Sequence, residues 1–435
     1  MKKYLLYLFF LTIAFSACKK NQSDPIIGNV DERLSEALAQ YQKILISAEF
    51  GWKGYLLTDN KTPATFLFNF TDKNRTIMSA DYQPTPSESS YRLKSLQRPT
   101  LLFDSYSILH LLSDPTPSVA GGSVGQGYFS DFEYAFLSAN ADTIKLEGTY
   151  NQSKLILIKS KSAAESTNIF TSVTNIGNIA SKLKTYFKRT TIGGVECEVK
   201  LDGAAQIISF SYLDASNLKT LSSNFYVSGT TIVLYDPLVV GNTTVREVSG
   251  VSYDTATGFI NGTVNSANIQ IKEATAPLKL DATAAQRWYN QMAANFNGCW
   301  VSDRAFHANG VDDFCNFRNI AGYQNLWYAG AAVFGGTSEG MITFTGALGA
   351  PYTLSRVPFA VNAGIARFTL NSNVGTFTGT TPIAQAMTAA RAILYGGAAV
   401  GSAQDWYLIP TSNDGRTYDM VRFGDATAWI SWRPR

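Results

Sequence analysis

Short runs of strand-forming residues recur along the chain at close spacing, and this recurrence constrains the fold more than any other feature. In Thr-Phe-Leu-Phe-Asn-Phe, at 65–70, three phenylalanines alternate with other residues, as in a strand with one buried face. Eight such runs lie in the first part of the chain, at 52–58, 65–70, 76–82, 91–96, 101–106, 128–136, 143–148 and 154–159. Neighbouring short strands predict an antiparallel meander, and a sheet of this size avoids exposed edges by closing into a barrel or folding into a sandwich.

A helix with one apolar face precedes this meander, and the same order recurs later in the chain. Asp31 can cap the first helix. Its apolar residues, four or three positions apart, are Leu34, Leu38, Tyr41 and Leu45. Similar stretches begin near Val173 and Asp281, each followed by further strand runs. We therefore predict a mainly β (α+β) fold of three barrel- or sandwich-like modules, each introduced by an amphipathic helix. The modules are 31–165, 166–276 and 277–435.

The last module contains one further helix signal. Thr381 is placed as a cap, Pro382 stands at the first helical position and Gly396 follows the end of the pattern. This punctuation predicts a helix between Pro382 and Gly396.

The first 18 residues have the parts of a secretory signal: two lysines, an apolar run at 4–15 and small residues before Cys18. The run is shorter than the roughly 20 apolar residues that a transmembrane helix needs. Phe-Ser-Ala-Cys, ending at Cys18, resembles a bacterial lipobox, in which the cysteine is lipidated after residues 1–17 are removed. An ordinary signal peptide with an incidental cysteine is the alternative. We expect an outer-membrane lipoprotein, held to membrane lipid through acylated Cys18 and a flexible tether, 18–30. Its periplasmic and its surface-facing placement both stay open.

Charge and histidine content exclude several classes of function. The chain has 36 basic and 33 acidic residues and a formal net charge of +3, and loss of Lys2 and Lys3 with the leader leaves 3 − 2 = +1. No nucleic-acid partner is expected, because phosphate binding needs a strong basic field. His110 and His307 are the two histidines, too few for a three-His zinc site, and we interpret both as structural. No metal and no cofactor are expected.

Several segments in the N-terminal half resemble a known family. They are Asp-Glu-Arg-Leu at 31–34, Gly-Trp-Lys-Gly-Tyr at 51–55, Ser-Ser-Tyr-Arg-Leu-Lys-Ser-Leu-Gln-Arg-Pro at 89–99, Phe-Asp-Ser-Tyr-Ser at 103–107, His-Leu-Leu-Ser-Asp-Pro at 110–115 and Ser-Asp-Phe-Glu-Tyr at 130–134. Together they look like domain-of-unknown-function family 4302, over about 31–160 and more faintly to about 275. The resemblance implies a Bacteroidota envelope lipoprotein, often encoded beside starch-utilisation-type outer-membrane import systems. It implies no catalytic residues.

Catalytic patterns are weak in this sequence. Gly-Gly-Ser-Val-Gly, at 121–125, matches a hydrolase nucleophile elbow in letters, but a proline-containing stretch precedes Ser123 and a strand run follows it. We interpret the segment as a mobile loop whose glycines would let it adapt around a ligand. Two pairs of acids have the residue types that a glycosidase uses: Asp131 with Glu133, and Asp312 with Asp313.

Three cysteines follow Cys18. Cys299 and Cys315 are close enough in sequence to bridge two neighbouring strands across a short loop, and in the chain-entropy estimate such a disulfide adds about 3 kcal/mol. Two buried thiols are the alternative, because bacterial envelope proteins often leave buried cysteines reduced. We interpret Cys197 as a small buried apolar residue.

Tryptophans concentrate in the last module. Six of the seven follow residue 280, namely Trp288, Trp300, Trp327, Trp406, Trp429 and Trp432. Aromatic faces stack on sugar rings and on apolar ligands, which makes this module a candidate binding platform. Its expected ligand contacts are Trp327, Tyr328 and Trp432. Packing in a core is the alternative, and Trp429 and Trp432, three apart in a strand, must face opposite sides.

The favoured function is an accessory ligand-binding component of an outer-membrane nutrient-import system, with an oligosaccharide or peptide as ligand. This expectation follows from the family resemblance, as does the expected partnership with starch-utilisation-type importer proteins. An envelope hydrolase that uses carboxylates or Ser123 and a structural scaffold of an outer-membrane complex are the alternatives. Exposed aromatic residues around a pocket would favour binding, acids with raised pKa in a cleft would favour hydrolysis, and a broad apolar patch would favour the scaffold.

Overall fold

The structure, a computed structural model, describes residues 30–95, 98–295, 298–345, 351–376, 379–412 and 414–435. The predicted leader 1–17, Cys18 and nearly all of the tether 18–30 lie outside the described residues. The chain divides into two compact units, and the division falls between Ile169 and Phe170. Within the described ranges, no helix combines the length and apolar character that crossing a bilayer requires.

The first unit is a closed barrel of eight antiparallel strands, preceded by helix α1, Val30–Ile46. The strands are β1 Trp52–Leu57, β2 Pro63–Phe70, β3 Arg75–Ala80, β4 Gln83–Ser95, β5 Pro99–Phe103, β6 Glu133–Ala139, β7 Thr143–Gly148 and β8 Lys154–Lys159. Each strand pairs with the next, and β8 returns to β1, with Trp52 opposite Lys159. Two short helices, α2 Pro117–Ala120 and α3 Ala163–Thr167, follow β5 and β8. The predicted meander is therefore confirmed, in its barrel form.

Aromatic side chains fill the interior of this barrel. Phe66, Phe68 and Phe70 point inwards from alternate positions of β2, with neighbouring ring centroids 5.3 and 5.7 Å apart. These rings leave space only for a glycine at position 54 of the neighbouring strand β1, because a Cβ atom at Gly54 would lie 2.5 Å from Phe68 Cε2. The alternation seen in the sequence thus produces a tightly packed core.

The two ends of the barrel are closed differently. Helix α1 covers the end at which β1 begins, where Tyr41 stacks on Phe136 at 4.1 Å and the indole N–H of Trp52 donates to the Leu45 carbonyl at 2.8 Å. The opposite end carries the turn 58–62 and the long connection 104–132 between β5 and β6, joined by a backbone hydrogen bond.

The second unit contains helix α4, Ser172–Ala180, and a second closed eight-stranded barrel. Its strands are β9 Phe187–Ile192, β10 Val195–Asp202, β11 Ile207–Asp214, β12 Asn217–Ser228, β13 Thr231–Val240, β14 Thr243–Asp254, β15 Phe259–Val264 and β16 Ala267–Ala274. β16 pairs with β9 and closes the barrel. The interior is mostly aliphatic, and Ile176 of α4 packs into it.

A half-barrel of eleven antiparallel strands completes the second unit. Its strands are β17 Cys299–Ser302, β18 His307–Ala308, β19 Tyr323–Ala329, β20 Glu339–Thr345, β21 Tyr352–Ser355, β22 Phe359–Asn362, β23 Ile365–Thr369, β24 Gly375–Thr376, β25 Ala403–Pro410, β26 Tyr418–Arg422 and β27 Ala428–Pro434. Their order is β22-β23-β25-β26-β27-β17-β19-β20-β21-β24, and β18 also pairs with β27. Helices α5, Ala284–Asn295, and α6, Pro382–Tyr395, pack on one face of this sheet. Helix α6 ends at Gly396 with φ 69°, where the sequence predicts its end.

The second barrel packs on the other face of this sheet. Phe187, at the start of β9, lies in a buried cluster with Tyr407, Val421 and Ala426, and its ring meets that of Tyr407 edge to face at 5.9 Å. The predicted modules 166–276 and 277–435 are thus largely parts of one compact unit.

Candidate functional site

A cleft of about 920 Å³ opens beside this packed face, within the second unit. One wall is the outer surface of β10, β11 and β12, the second is the end of β25 with the residues that follow it, and the third is the connection 277–283. This volume lies within the roughly 300–1,000 Å³ that is typical of ligand sites.

Lys200 and Tyr186 line the cleft next to a buried carboxylate. The phenol of Tyr186 donates to Asp419 Oδ2 at 2.6 Å, and Lys200 Nζ lies 3.4 Å from the same oxygen. Ser431 donates to the other oxygen at 2.6 Å. Burial, together with the Asp419 carboxylate, raises the pKa of Tyr186, so the phenol remains a hydrogen-bond donor. Lys200, whose side chain is 64% exposed, is the member of this group that a ligand can reach.

Glu198, also on the cleft wall, holds the connection to the barrel. Its Oε2 accepts hydrogen bonds from Arg189 at 3.0 Å and from the backbone N–H of Leu278 at 3.2 Å. Arg189 in turn donates to the Ala276 carbonyl at 2.9 Å. Burial raises the pKa of Glu198, and the charge of Arg189 opposes this rise. The carboxyl therefore holds the connection against the barrel through its Oε2.

A second acid in the cleft, Asp281, lies just before α5. It accepts two hydrogen bonds from Arg287, at 2.7 and 3.3 Å, and one from the Thr283 N–H at 3.0 Å. The hydrogen bond from Arg287 is the largest cause that lowers the pKa of Asp281 to about 2. Asp281 is thus ionised at neutral pH, and its charge is balanced by Arg287.

Hydroxyl groups on two neighbouring strands complete the barrel wall. Ser209 and Ser211 of β11 face Ser222 and Thr220 of β12, with oxygen–oxygen distances of 2.9 and 2.8 Å. Each hydroxyl keeps unused acceptor capacity. Leu218 lies beside them in the cleft lining.

The groups that line the cleft suit the binding of a ligand. Its carboxylates are held by arginine or backbone donors, and the described lining residues include no histidine or cysteine that would act as a nucleophile or base. Hydroxyls, balanced charges and apolar patches together favour a polar ligand with little net charge.

A second surface lies at the end of the first barrel opposite α1. The rings of Tyr106, His110 and Phe132 form a column, with centroids 5.6 Å apart for the first pair and 4.8 Å for the second. Tyr106 is 64% exposed and Phe132 is 43% exposed. We call these three residues the aromatic column.

The family match covers the first barrel and the second barrel as far as β14. The sequence profile of DUF4302, a domain of unknown function, matches residues 28–251. The chain belongs to this family. The matched DUF4302 region includes the aromatic column and the barrel wall of the cleft, whereas the other walls of the cleft lie beyond it. No curated protein matches the chain.

Solved structures show little likeness to the chain. An octameric penicillin-binding protein homologue from Pyrococcus abyssi is 12% identical, with TM-score 0.16, and the match covers 34% of this chain and only 37% of that one. The DNA polymerase III beta subunit from Thermotoga maritima is 8% identical over 92% and 97% of the two chains, with TM-score 0.18. Transferrin binding protein B from Neisseria meningitidis is 10% identical over 86% and 64%, with TM-score 0.17. Scores this low carry no argument about the DUF4302 fold or its function.

The aromatic platform expected beyond the DUF4302 region is not formed by the three residues that the sequence indicates. Tyr328 and Trp432 are buried on the face of the sheet that packs against α5 and α6. Trp327, on the other face, is half-buried between Phe344 and the guanidinium of Arg435, each about 4.2 Å from it. The prediction is wrong because strand alternation sends two of the three rings into the core.

Of the two states that the sequence leaves open for Cys299 and Cys315, the structure has the thiols and not the disulfide. Both residues are buried thiols, as is Cys197. Cys315 packs in the core around Trp300, whereas Cys299, the neighbour of Trp300 in β17, packs on the opposite face with Ala329. The sheet therefore separates the two sulfur atoms.

Both histidines occupy aromatic surroundings. His110, within the DUF4302 region, lies inside the aromatic column, and His307 stacks on Trp429 at 3.7 Å, with Nδ1 4.0 Å from Asp312. Burial lowers the pKa of each imidazole. Among the described residues, no three His, Cys, Asp or Glu side chains come together as metal ligands would.

Of the residues considered for the hydrolase alternative, Asp131 and Asp313 have local structural roles. Ser123 is exposed, in a loop where its backbone pairs with Gly127, and no base hydrogen bonds its hydroxyl among the described residues. Asp131 accepts hydrogen bonds from three backbone N–H groups and one hydroxyl in the turn 150–153. Asp313 accepts from the N–H groups of Phe317 and Arg318. The aromatic column was not predicted from the sequence, although its residues lie in three of the segments that resemble DUF4302.

Proposed function

We propose that this protein is a lipid-anchored component of the cell envelope that binds a polar ligand of oligosaccharide or peptide size in the cleft of its second unit. In this proposal it acts as an accessory to an outer-membrane nutrient-import system. The leader 1–17 followed by Cys18 supports the anchor, and the family resemblance supports the link to import.

One observation carries the binding part of the proposal. The cleft of about 920 Å³ is lined by hydroxyls and by charges that are already balanced within the protein. A ligand with hydroxyl or amide groups finds donors and acceptors there without having to neutralise a buried charge. Lys200 is the exposed donor that we expect to contact it.

The hydrolase alternative is less well supported. Glu198 and Asp281 have pKa values shifted in opposite directions, a pattern that occurs in acid–base pairs. However, each carboxyl is held by an arginine and by a backbone N–H, so neither is poised to transfer a proton to a ligand.

The test is a binding screen with the purified mature chain. Oligosaccharides and peptides are titrated by isothermal calorimetry into wild type and into Ser211→Tyr, which places a ring in the cleft. We expect a ligand whose affinity falls at least tenfold in Ser211→Tyr. Ser252→Tyr, at an exposed position of β14 outside the cleft lining, is the matched control and should bind normally. A ligand that binds Ser211→Tyr as tightly as wild type would place its site elsewhere and contradict the proposal.

A further inference from the structure

The aromatic column of the first barrel is a surface separate from the cleft. It belongs to the connection 104–132, which buries Ile108, Leu109 and Leu112 in the barrel core. The same segment leaves Tyr106 and Phe132 exposed. Since the apolar residues beneath are buried, the exposure of these rings does not result from an open or poorly packed barrel end.

The rings of the column are held in fixed orientations. His110 stacks against both neighbours, with interplanar angles of 28° to Tyr106 and 21° to Phe132. His110 therefore covers one face of Tyr106, and the high exposure of Tyr106 leaves the rest of the ring open to solvent.

Hydrogen bonds fix the ring edges. The phenol of Tyr106 donates to Asp114 Oδ2 at 2.5 Å, while Asp114 Oδ1 accepts from the Thr116 N–H at 2.8 Å. Ser107 Oγ lies 2.9 Å from His110 Nδ1. A surface ordered in this way loses little conformational entropy when a ligand binds.

Phe132 is positioned through the residue before it. The Asp131 carboxylate, 4% exposed, binds the backbone N–H groups of Tyr150, Asn151 and Ser153 in the opposite turn. These hydrogen bonds tie the segment that contains Phe132 to the turn 150–153.

We infer that the aromatic column is a carbohydrate-binding surface, with the open face of Tyr106 stacking on a sugar ring and Asp114 accepting hydrogen bonds from its hydroxyl groups. The C–H face of a pyranose packs on an aromatic ring, and the ring hydroxyls project at its edge. A carboxylate at the edge of the aromatic ring matches that arrangement, because an ionised carboxylate accepts several hydrogen bonds and donates none.

Two other occupants fit less well. An apolar peptide would form no hydrogen bond with Asp114, and its binding would remove water from the Asp114 carboxylate. A lipid surface is disfavoured by position, because α1, which follows the predicted tether, covers the opposite end of the barrel.

The two histidines of the chain make a direct test available. In the full mature chain labelled with ¹³C-histidine, the His110 ring signals report on the column, and those of His307, in the second unit, are an internal control. Maltoheptaose, cellohexaose and xylohexaose are titrated separately. We expect one of these probes to shift the His110 signals in a saturable way while those of His307 stay unchanged.

Four variants complete the experiment. Tyr106→Ala should weaken binding of that probe about tenfold or more, and Tyr106→Phe, which keeps the ring but loses the bond to Asp114, should weaken it less. Tyr352→Ala removes a 43% exposed tyrosine of the second unit, outside the column, and should bind like wild type. Ser211→Tyr, in the cleft, should also leave the His110 titration unchanged, so failure here is distinguishable from failure of the proposed cleft function. Absence of a His110 shift with all three sugars, or equal affinity in Tyr106→Ala, would overturn the inference, as would a shift only with phosphatidylethanolamine–phosphatidylglycerol vesicles.

Discussion

Tyr186 of the second barrel donates a hydrogen bond of 2.6 Å to Asp419 of the C-terminal sheet, across the contact that joins these two parts of the second unit. Asp419 is only 6% exposed, so water cannot readily replace the Tyr186 phenol as a hydrogen-bond donor to its carboxylate. We therefore expect Tyr186→Phe to lower the free energy of unfolding by about 1.5–3 kcal/mol, the range for hydrogen bonds to charged groups.

Urea unfolding followed by tryptophan fluorescence measures this loss, because six of the seven tryptophans lie in the second unit. Tyr150→Phe, which changes an exposed tyrosine of the first unit, is the control. A midpoint for Tyr186→Phe equal to that of wild type would show that the hydrogen bond does not stabilise the contact.

Asp131 plays a comparable part in the first unit. Its carboxylate accepts four hydrogen bonds, two of them from the backbone N–H and the hydroxyl of Ser153. Asp131→Ala should destabilise the first unit by about 2–6 kcal/mol, since it removes four hydrogen bonds that contribute about 0.5–1.5 kcal/mol each. Faster hydrogen exchange at the amides of Tyr150, Asn151 and Ser153 would report the change. Asp72→Ala, at an exposed turn, should leave these amides protected.

The barrel of the first unit was predictable because its sequence pattern is local. Alternation at Phe66, Phe68 and Phe70 defines which face of β2 is buried. A meander of such short strands has few ways to pair the backbone N–H and C=O groups of its two edge strands. The choice between barrel and sandwich depends on whether β8 pairs with β1, a contact between distant residues that no local pattern specifies.

The ligand-contact residues were not predictable from the abundance of tryptophan. Composition counts aromatic rings but does not state which way they point, and Trp327 and Tyr328, as neighbours in one strand, face opposite sides of the sheet. The aromatic column escaped notice because its three residues are separated in sequence and meet only when the connection 104–132 folds over the barrel end.

The cysteines give a chemical check on the C-terminal sheet. Because Cys299 and Cys315 are buried thiols on opposite faces, neither should react with iodoacetamide in the native chain. Burial raises the pKa of Cys315 to about 12, which further suppresses its thiolate. After unfolding without reductant, mass spectrometry of the mature chain lacking Cys18 should find three alkylated cysteines. A single adduct, at Cys197, would mean that the other two are linked.

The lipid anchor is tested in cells. In the proposed function Cys18 is the acylated residue, so it should carry the label when cells expressing the full chain grow with a radioactive fatty acid. Cys18→Ala should take up no label and leave the membrane fraction, while Cys197→Ala, which removes a buried thiol, should be labelled normally. Labelled Cys18→Ala protein would refute acylation at this residue.

Lys188 makes the stability of the second barrel depend on pH. Its side chain lines the apolar interior with Val199 and Leu201, and its Nζ donates to the Thr185 carbonyl at 2.7 Å. Burial lowers its pKa to about 8, Lys200 acts in the same direction, and Glu273 and Glu198 oppose the shift. The folded pKa lies below the unfolded value of about 10.4, so between these values the unfolded chain binds more protons and stability rises with pH.

Comparison with Lys188→Met isolates this effect. The methionine keeps much of the apolar stem and has no charge, so below pH 8 the variant should be the more stable protein. As pH rises from about 8 to about 10.4, the unfolding free energy of wild type should increase relative to that of Lys188→Met. Lys182→Met, at an exposed lysine, should follow wild type throughout. Parallel stability curves for wild type and Lys188→Met across this range would show that Lys188 is not buried in the way its contacts indicate.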